Sequence, residues 1–319
     1  MIVTVVYRGK GDVTVDIAAN ANLHKAKNAK NDEFYTQLTD VSKELMHYKP
    51  HFKDKIVLCN CDDPTWSAFW KYFHLNFEAL GLKKLISTHY DKTEPTYKME
   101  YTGGDDNDIE VGVKTPLEGN GDFRNKECLD LLDECDIVVT NEPFILFRTF
   151  VGILIEHNKK FLIIGNKNAI TYKEFFPLLK DNKVWLGCTN VKEFLQPDGS
   201  IKKFGNIGWF TNLDVAKRHE KLILWKNYSP EEYPKYDNYL AIEVSKVADI
   251  PCDYDGVMGV PITFLDKFNP EQFEIIGADE AEGTGFSQGL FIEGSKYKQC
   301  YVNGSRIYKR IFIRKKAGA

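Results

Sequence analysis

Between residues 55 and 190, short apolar runs alternate with amphipathic stretches, and this limits the fold more than any other feature of the 319-residue chain. "KIVLCNC" (Lys55 to Cys61), "KKLISTHY" (Lys83 to Tyr90), "DIVVT", "KFLIIGN" and "KVWLGC" predict strands. "DDPTWSAFWKYFHLNFEALGL" predicts a helix, with Pro64 in its first turn and Gly81 at its stop. Its Trp66, Phe69, Trp70, Phe73 and Phe77 recur at helical spacing, so they face the core rather than stacking on bases. "LFRTFVGILIEHN" puts Phe147, Phe150, Val151, Leu154 and Ile155 on one helical face, and "TYKEFFPLLKDN" predicts a further helix. Upstream, Thr39 caps a helix that carries Val41, Leu45 and Tyr48 on one side. "YKMEYTGGDDNDIEVGVK" predicts a hairpin around an acidic, glycine-rich turn. The order implies an α/β fold, a mostly parallel sheet with helices on both faces. Ligands of such sheets bind at the carboxyl ends of the strands, which sets "NCDDP" and "TNEPF" on one rim.

After about residue 226 the texture changes to Tyr, Pro and Gly with short strands and turns, as expected for a second, smaller module. "NPEQF" predicts one short helix there, with Asn269 as cap, Pro270 at its start and Gln272 closing a capping box. The first residues, with "ANANLHKAKNAK", read as a polar arm. Hydrophobic residues make up 43% and charged residues 28%, enough for an ordinary globular core. No apolar run reaches the roughly 18 residues of a membrane span, and no signal peptide is visible. None of the seven cysteines forms a C-x-x-C pair, which suggests a reducing, cytoplasmic setting. The seven histidines form no H-E-x-x-H, so no metal site is expected.

A net charge of −4 argues against non-specific coating of nucleic acid but leaves room for a local basic site. "SRIYKRIFIRKK" carries Arg306, Lys309, Arg310, Arg314, Lys315 and Lys316 with no acid among them. On charge alone, a solvated strand face with a soluble tail is the preferred reading.

Several motifs can be weighed for chemistry. "GFSQG" (Gly285 to Gly289) matches a nucleophile elbow, but it follows a loop and no histidine comes after it, so a hydrolase is rejected. No P-loop is present. Asp62 and Asp63 at a strand end suit ribose hydroxyls or an amine, and equally a helix cap; spacing leaves the two even. In "GDF", Asp122 could accept from an adenine amine while Phe123 packs on the ring, or the three residues are an ordinary turn. The stretch "DECDIVVTNEPFILF" ends an apolar strand in Asn141, Glu142, Pro143 and Phe144. An exocyclic amine on an aromatic base is a poor nucleophile, because its lone pair is conjugated with the ring. Two acceptors on its hydrogens draw the nitrogen toward tetrahedral geometry. The Asn141 side-chain oxygen and the Glu142 carbonyl can supply them, Pro143 stiffens the turn, and Phe144 can stack on a flipped base. A strand-end turn with Phe144 in the core is the alternative.

Taken together, these pieces resemble the EcoRI-type adenine-specific DNA methyltransferase family. The likeness runs from about Asn28 to the C-terminus through "KNDEFYTQLTDVSKEL", "VLCNCDDP", "GNGDF", "DIVVTNEPF", "FGNIGWFTNLD", "YPKYDNYLAIEV", "DYDGVMGVPITFLDKFNPEQFEIIG" and "RIYKRIFIR". The resemblance implies a Rossmann-like S-adenosylmethionine-dependent methyltransferase fold. It would comprise an arm (1–27), a catalytic domain (28–226) and a β-rich target-recognition region (227–319). It implies that Asn141, Glu142, Pro143 and Phe144 hold the target amine. "DEFYT" looks like the methionine-binding motif, implying Phe34, Tyr35 and Thr36; "NCDDP" implies Asn60, Asp62 and Asp63; "GDF" implies Asp122 and Phe123 at the adenine. The basic end implies Arg306, Lys309, Arg310 and Arg314 on DNA. Implied partners are double-stranded DNA and S-adenosylmethionine, with no membrane and no metal. A cognate restriction nuclease acting on the same site without a stable complex is compatible with this.

Two departures stand out. Glu142 replaces the first proline of the common DNA motif, as in related RNA enzymes, and "NCDDP" lacks the glycine-rich turn. The acid expected after the second strand is represented only by Asp91. The expected activity is direct methylation of adenine N6 in DNA. The rivals are an RNA adenine methyltransferase, motivated by Glu142, and a catalytically silent DNA-binding protein, motivated by the missing glycines.

Overall fold

The apolar runs pair into one nine-stranded sheet in the computed structural model, which describes residues 35–104, 108–141, 146–195, 199–280 and 285–318. In chain order its strands are β1 (Tyr35–Thr36), β2 (Ile56–Cys59), β3 (Lys84–His89), β4 (Tyr97–Tyr101), β5 (Val113–Pro116), β6 (Ile137–Thr140), β7 (Lys160–Asn166), β8 (Trp185–Leu195) and β9 (Ile201–Thr211). Across the sheet the order is β1-β8-β9-β7-β6-β2-β3-β4-β5. The central four, β7-β6-β2-β3, are parallel; both flanks are antiparallel.

Parallel neighbours need crossovers, and helices supply them. The helices are α1 (Leu38–Leu45), α2 (Ala68–Leu75), α3 (Phe77–Leu80), α4 (Lys126–Glu134), α5 (Phe147–Glu156) and α6 (Phe176–Lys180). Strand alternation divides the core. Val57, Cys59, Ile137, Val139, Leu162 and Ile164 face α1 and α2, with Phe69, Trp70 and Phe73 packed on them. Leu58, Val138, Phe161 and Ile163 face the other way, onto α4 and α5. Burial on both faces is why these strands read as unbroken apolar runs.

Several local expectations shift. Helix α1 is preceded by Gln37 as its N-cap, not by Thr39, and no side chain caps it. The long aromatic helix is shorter and split. It starts after Ser67, whose Oγ accepts from Trp70 N at 2.9 Å, and it breaks at Asn76. Asp63-Pro64 therefore belongs to the preceding turn, and Trp66 is only half-buried. "NPEQF" is a turn and not a helix: Asn269 Oδ1 accepts from Glu271 N (2.8 Å) and Gln272 N (3.2 Å), but the chain enters a strand at once at Phe273. Strand β8 is longer than "KVWLGC" and forms an antiparallel hairpin with β9. Val191 lies level with Ile207 and so with Asn166 at the end of β7, so the hairpin tip runs past the carboxyl edge of the sheet. There Leu195 and Phe194 pair with Tyr35 and Thr36. A buried acid secures the same region: Glu44 accepts from Tyr48 Oη, Cys188 N, Thr189 N and Thr189 Oγ1 at 2.6–2.9 Å.

The C-terminal third contains a four-stranded sheet from β10 (Ile242–Glu243), β11 (Met258–Pro261), β12 (Phe273–Ala278) and β15 (Arg310–Lys315), and a small hairpin, β13 (Tyr301–Val302) with β14 (Ser305–Arg306). Strand β15 is interior, between β11 and β12. Its Ile311 and Ile313 join the core around α5 and α6, while Phe312 points to a separate cluster with Tyr236, Tyr239 and Cys300. Phe286 lies 4.5 Å ring to ring from Phe176 of α6. All seven cysteines are free thiols. Among the described residues no helix is long and apolar enough to cross a membrane, and no group of three His, Cys, Asp or Glu is placed to hold a metal ion.

Candidate active site

The carboxyl ends of β2, β3 and β6 meet the loop before α4, and side chains tie them together. Thr140, the last residue of β6, donates to the Asn60 carbonyl at 2.7 Å. That bond ties β6 to the loop after β2 and places Asn141, half-buried, immediately beyond it. Thr88 of β3 accepts from Cys61 N at 2.9 Å and lies 3.4 Å from Asn60 Oδ1. Cys61 Sγ approaches the Gly121 carbonyl at 3.4 Å. Asn60, Asp62, Asp63, Gly121 and Asn141 thus line one rim, as the strand-end rule predicts.

Two backbone positions shape the rim. Cys61 takes φ +52°, the left-handed conformation that a glycine would normally supply. The missing glycine-rich turn is therefore replaced by a single non-glycine residue, held by Thr88 through its amide and by Gly121 through its sulfur. At Gly121 (φ +75°) a Cβ would come within 2.3 Å of the His89 carbonyl, so only glycine lets this loop lie against the end of β3.

The acids divide by task. Ser67 donates to Asp62 Oδ2, and Ser87 donates to the Asp62 carbonyl. Asp63 Oδ1 accepts from Thr65 N (2.9 Å), Thr65 Oγ1 (2.8 Å) and Tyr97 Oη (2.9 Å), and its Oδ2 lies 3.1 Å from His89 Nδ1. Asp63 therefore organises the turn. Burial works to raise its pKa, but the hydrogen bonds from His89 and Thr65 outweigh it and hold the carboxyl at about 2. An unfolded aspartate titrates near ~3.9. A depressed folded pKa contributes stability that is complete above the unfolded value and lost as pH falls through the folded one. We expect Asp63→Asn to cost about 2 kcal/mol at neutral pH, with the difference from the parent roughly halved at pH 3 and nearly gone at pH 2. Urea unfolding across that range checks it; a difference that does not change with pH would show that the turn holds no charge.

Asp122 is gripped by Arg124, Nε to Oδ1 at 2.8 Å and Nη2 to Oδ2 at 2.5 Å, and these bonds keep its carboxyl below the usual range. Phe123 is 3% exposed and meets Phe150 edge-on at 4.9 Å, so most of its ring serves the core. Asp91, just past β3, accepts from Thr93 N, Thr93 Oγ1 and Glu94 N through Oδ1. Thr36 is buried at the hairpin tip on the rim side of the sheet; the Tyr35 backbone lies beside it, and Phe34 lies outside the described residues. Glu142, Pro143 and Phe144 also lie outside them.

The basic end differs from its sequence reading. Arg310 is buried, with Nη2 2.7 Å from Glu243 Oε1 and Nε 3.0 Å from Oε2. Burial suppresses ionisation of the Tyr236 hydroxyl, as does Glu243, to which that hydroxyl donates. Arg310 is thus a structural cation facing Glu243, which corrects its placement on a DNA-facing surface. Lys309 lies 3.8 Å from Asp279, and Arg314 lies 3.2 Å from Glu274; Arg306 is exposed. Sequence reasoning missed Thr88, Thr140, His89 and Tyr97. Polar residues closing apolar strands were the available signal for the two threonines.

A mostly parallel-centred α/β sheet with a carboxylate-rich rim at its strand ends is consistent with a methyltransferase fold. The chain matches the family described as adenine-specific methyltransferase EcoRI over residues 22–316, and it belongs to that family. It is 46% identical to the Type II methyltransferase M.EcoRI of Escherichia coli over 94% of this chain and 98% of the relative. It is 38% identical to M.MpnI of Mycoplasma pneumoniae and 36% to M.MgeORF184P of Mycoplasma genitalium, each over 92% of this chain and 98% of the relative. No solved structure matches it. The chain is therefore an adenine-specific DNA methyltransferase.

Proposed function

We propose that the protein methylates adenine N6 at a specific site in duplex DNA, with S-adenosylmethionine as donor, as one half of a modification system of the Type II kind. The observation that supports this reading most is the Thr140–Asn60 bond, which ties the strand end before Asn141 to the loop that carries Asp62. The residues fit that cofactor. Asp62 and Asp122 on the rim would accept from hydroxyls and an amine, and their carboxylates complement a sulfonium, while the buried Asn60 holds the loop through Thr88 and Cys61. S-adenosylmethionine would supply a methyl group activated on sulfur.

The chain's own residues do the remainder. Asn141 Oδ1 and the Glu142 carbonyl accept the hydrogens of a flipped-out adenine amine and localise its lone pair on nitrogen. By the resemblance to the amine-holding motif, Pro143 and Phe144 would complete the hold on the base. Tyr35 and Thr36 close the cofactor side from the hairpin tip, and Asp63 positions the loop that carries Asp62. No metal is assigned. Residues 227–319 read the duplex, and the reading is compatible with a cognate nuclease that acts on the same site without a stable complex.

The test is transfer of tritiated methyl from S-adenosylmethionine to duplex DNA and to RNA, followed by modification-sensitive sequencing of the methylated DNA. Label in adenine N6 at one recurrent DNA sequence is the expected result. Label confined to RNA would replace the substrate, and absence of cofactor binding by calorimetry would point to a silent DNA-binding protein.

A further inference from the structure

Beside the second sheet runs a ribbon that is anchored in the Tyr236–Phe312 cluster by Cys300 and Val302 and exposed along most of the rest of its length. From Gly294 to Ala319 the sequence contains no acid, and the cations Arg310, Arg314 and Lys315 of β15 are paired with Glu243, Glu274 and Asp255. Those of the preceding ribbon are not. Lys296, Lys298 and Arg306 are exposed, and among the described residues no carboxylate lies within ion-pair distance of them. Glu280, whose charge Lys298 senses, is engaged by the Gly285 and Ser287 amides at 2.7 and 2.8 Å.

The ribbon is also held in shape. Asn303 (φ +49°) and Gly304 (φ +73°) form a two-residue tip with positive φ at both positions, the tight turn that matches hairpin twist. Three consecutive residues grip it from below. Asp237 accepts from the Asn303 and Gly304 amides at 3.0 and 2.8 Å. Asn238, 4% exposed, donates to the Tyr297 and Gln299 carbonyls (2.9 and 2.6 Å) and accepts from Tyr301 N (3.1 Å). Tyr239 Oη donates to the Lys298 carbonyl. Tyr297 stacks on Tyr301 at 4.4 Å and 15°. The buried Asn238 and Tyr239, with the exposed Asp237, fix the geometry of what this surface segment presents: three cations, an amide tip over the Asp237 carboxylate and the 72% exposed Tyr308.

We propose that residues 296–308 form the DNA-contacting ribbon of this enzyme, with Lys296, Lys298 and Arg306 on backbone phosphates and the Asn303-Gly304 tip directed into a groove. The proposal rests on the DNA-methyltransferase reading and deepens it. A duplex phosphate backbone is the occupant that fits: the exposed Lys296, Lys298 and Arg306 outnumber the exposed carboxylates beside them, Asp237 under the tip and Glu293 before the ribbon, and a two-stranded ribbon is one of the shapes that the major groove admits. It moves the interface away from Arg310 and onto Lys296 and Lys298, beside Arg306.

The experiment compares the full-length parent with a K296A/K298A/R306A variant and with K296R/K298R/R306K. Equilibrium binding to duplex DNA that carries the target is measured from low to moderate salt. Each lost phosphate contact lowers the slope of log affinity against log salt by about 0.9. The alanine variant is expected to lose about 2–3 units of slope, to raise KM for DNA at least tenfold, and to keep kcat at saturating DNA. The charge-conserving variant should retain the parent slope. Calorimetric S-adenosylmethionine binding equal to the parent's shows that the alanine variant is folded. If the parent methylates duplex DNA and the alanine variant keeps its slope and KM, the ribbon proposal is overturned and the enzymatic reading stands. If the parent neither binds nor methylates duplex DNA, both fall.

Discussion

Replacing Asn141 by alanine is expected to lower methyl transfer by about 10²–10³-fold or more, the scale seen when one preorganised polar group is removed from a developing charge. Calorimetric binding of S-adenosylmethionine should persist, because Asn141 follows β6 whereas the assigned cofactor acceptors follow β2 and precede α4. The loss should appear in kcat more than in KM, since the acceptor acts most strongly as the nitrogen becomes tetrahedral. Asn141→Asp keeps an acceptor oxygen and should retain more activity than alanine. Tritium transfer under saturating cofactor and DNA reads both variants. Parent-level turnover in Asn141→Ala would remove the amine-holding role from this strand end, whatever the neighbouring Glu142 does.

The second large effect lies far from that rim. Glu243→Ala is expected to destabilise the protein by about 3–5 kcal/mol, because it leaves the Arg310 guanidinium buried without its counter-charge. Arg310 is 8% exposed and Glu243 4%, so water cannot readily replace the lost partner. Pairing Glu243→Leu with Arg310→Met should recover most of the loss, since removing both charges of a buried pair is commonly near neutral. Urea unfolding of the single and double variants measures the difference. Should Glu243→Ala unfold like the parent, Arg310 would have an outward conformation available, and a phosphate contact for it would be open again.

What the sequence disclosed follows physical rules that act locally. The centre of the sheet was legible because β2, β6 and β7 are buried on both faces and cannot tolerate polar interruption. Strand β9 was not, because Gly205, Asn206 and Gly208 break its alternation; its strand character comes from the β7 and β8 ladders on either side. Asp63 shows the limit at the site itself. Spacing could not separate a ligand from a structural acid, and the choice was made by His89 and Tyr97, 26 and 34 residues further along the chain. Arg310 looked like a surface cation because its partner stands 67 residues upstream. The left-handed turn at Cys61 has no sequence signature, since nothing in "NCDDP" distinguishes a cysteine that does a glycine's work. The carboxyl rim itself needed only the strand–helix order, and that order fixed where Asn60 and Asn141 would meet.

The apolar cluster that runs from α5 and α6 into β11, β12 and β15 has a consequence for how enzymes of this build could acquire new target sequences. A half that shares its interior with the catalytic half cannot be exchanged like a cassette, because Phe176, Phe286, Ile311 and Ile313 would have to be matched anew with each donor. The exposed side of the ribbon is under no such constraint. Its tip can change residue by residue while the Asp237–Tyr239 grip and the common interior stay fixed. Were the ribbon to read DNA as proposed, specificity would diverge by substitution at its tip on a fixed frame.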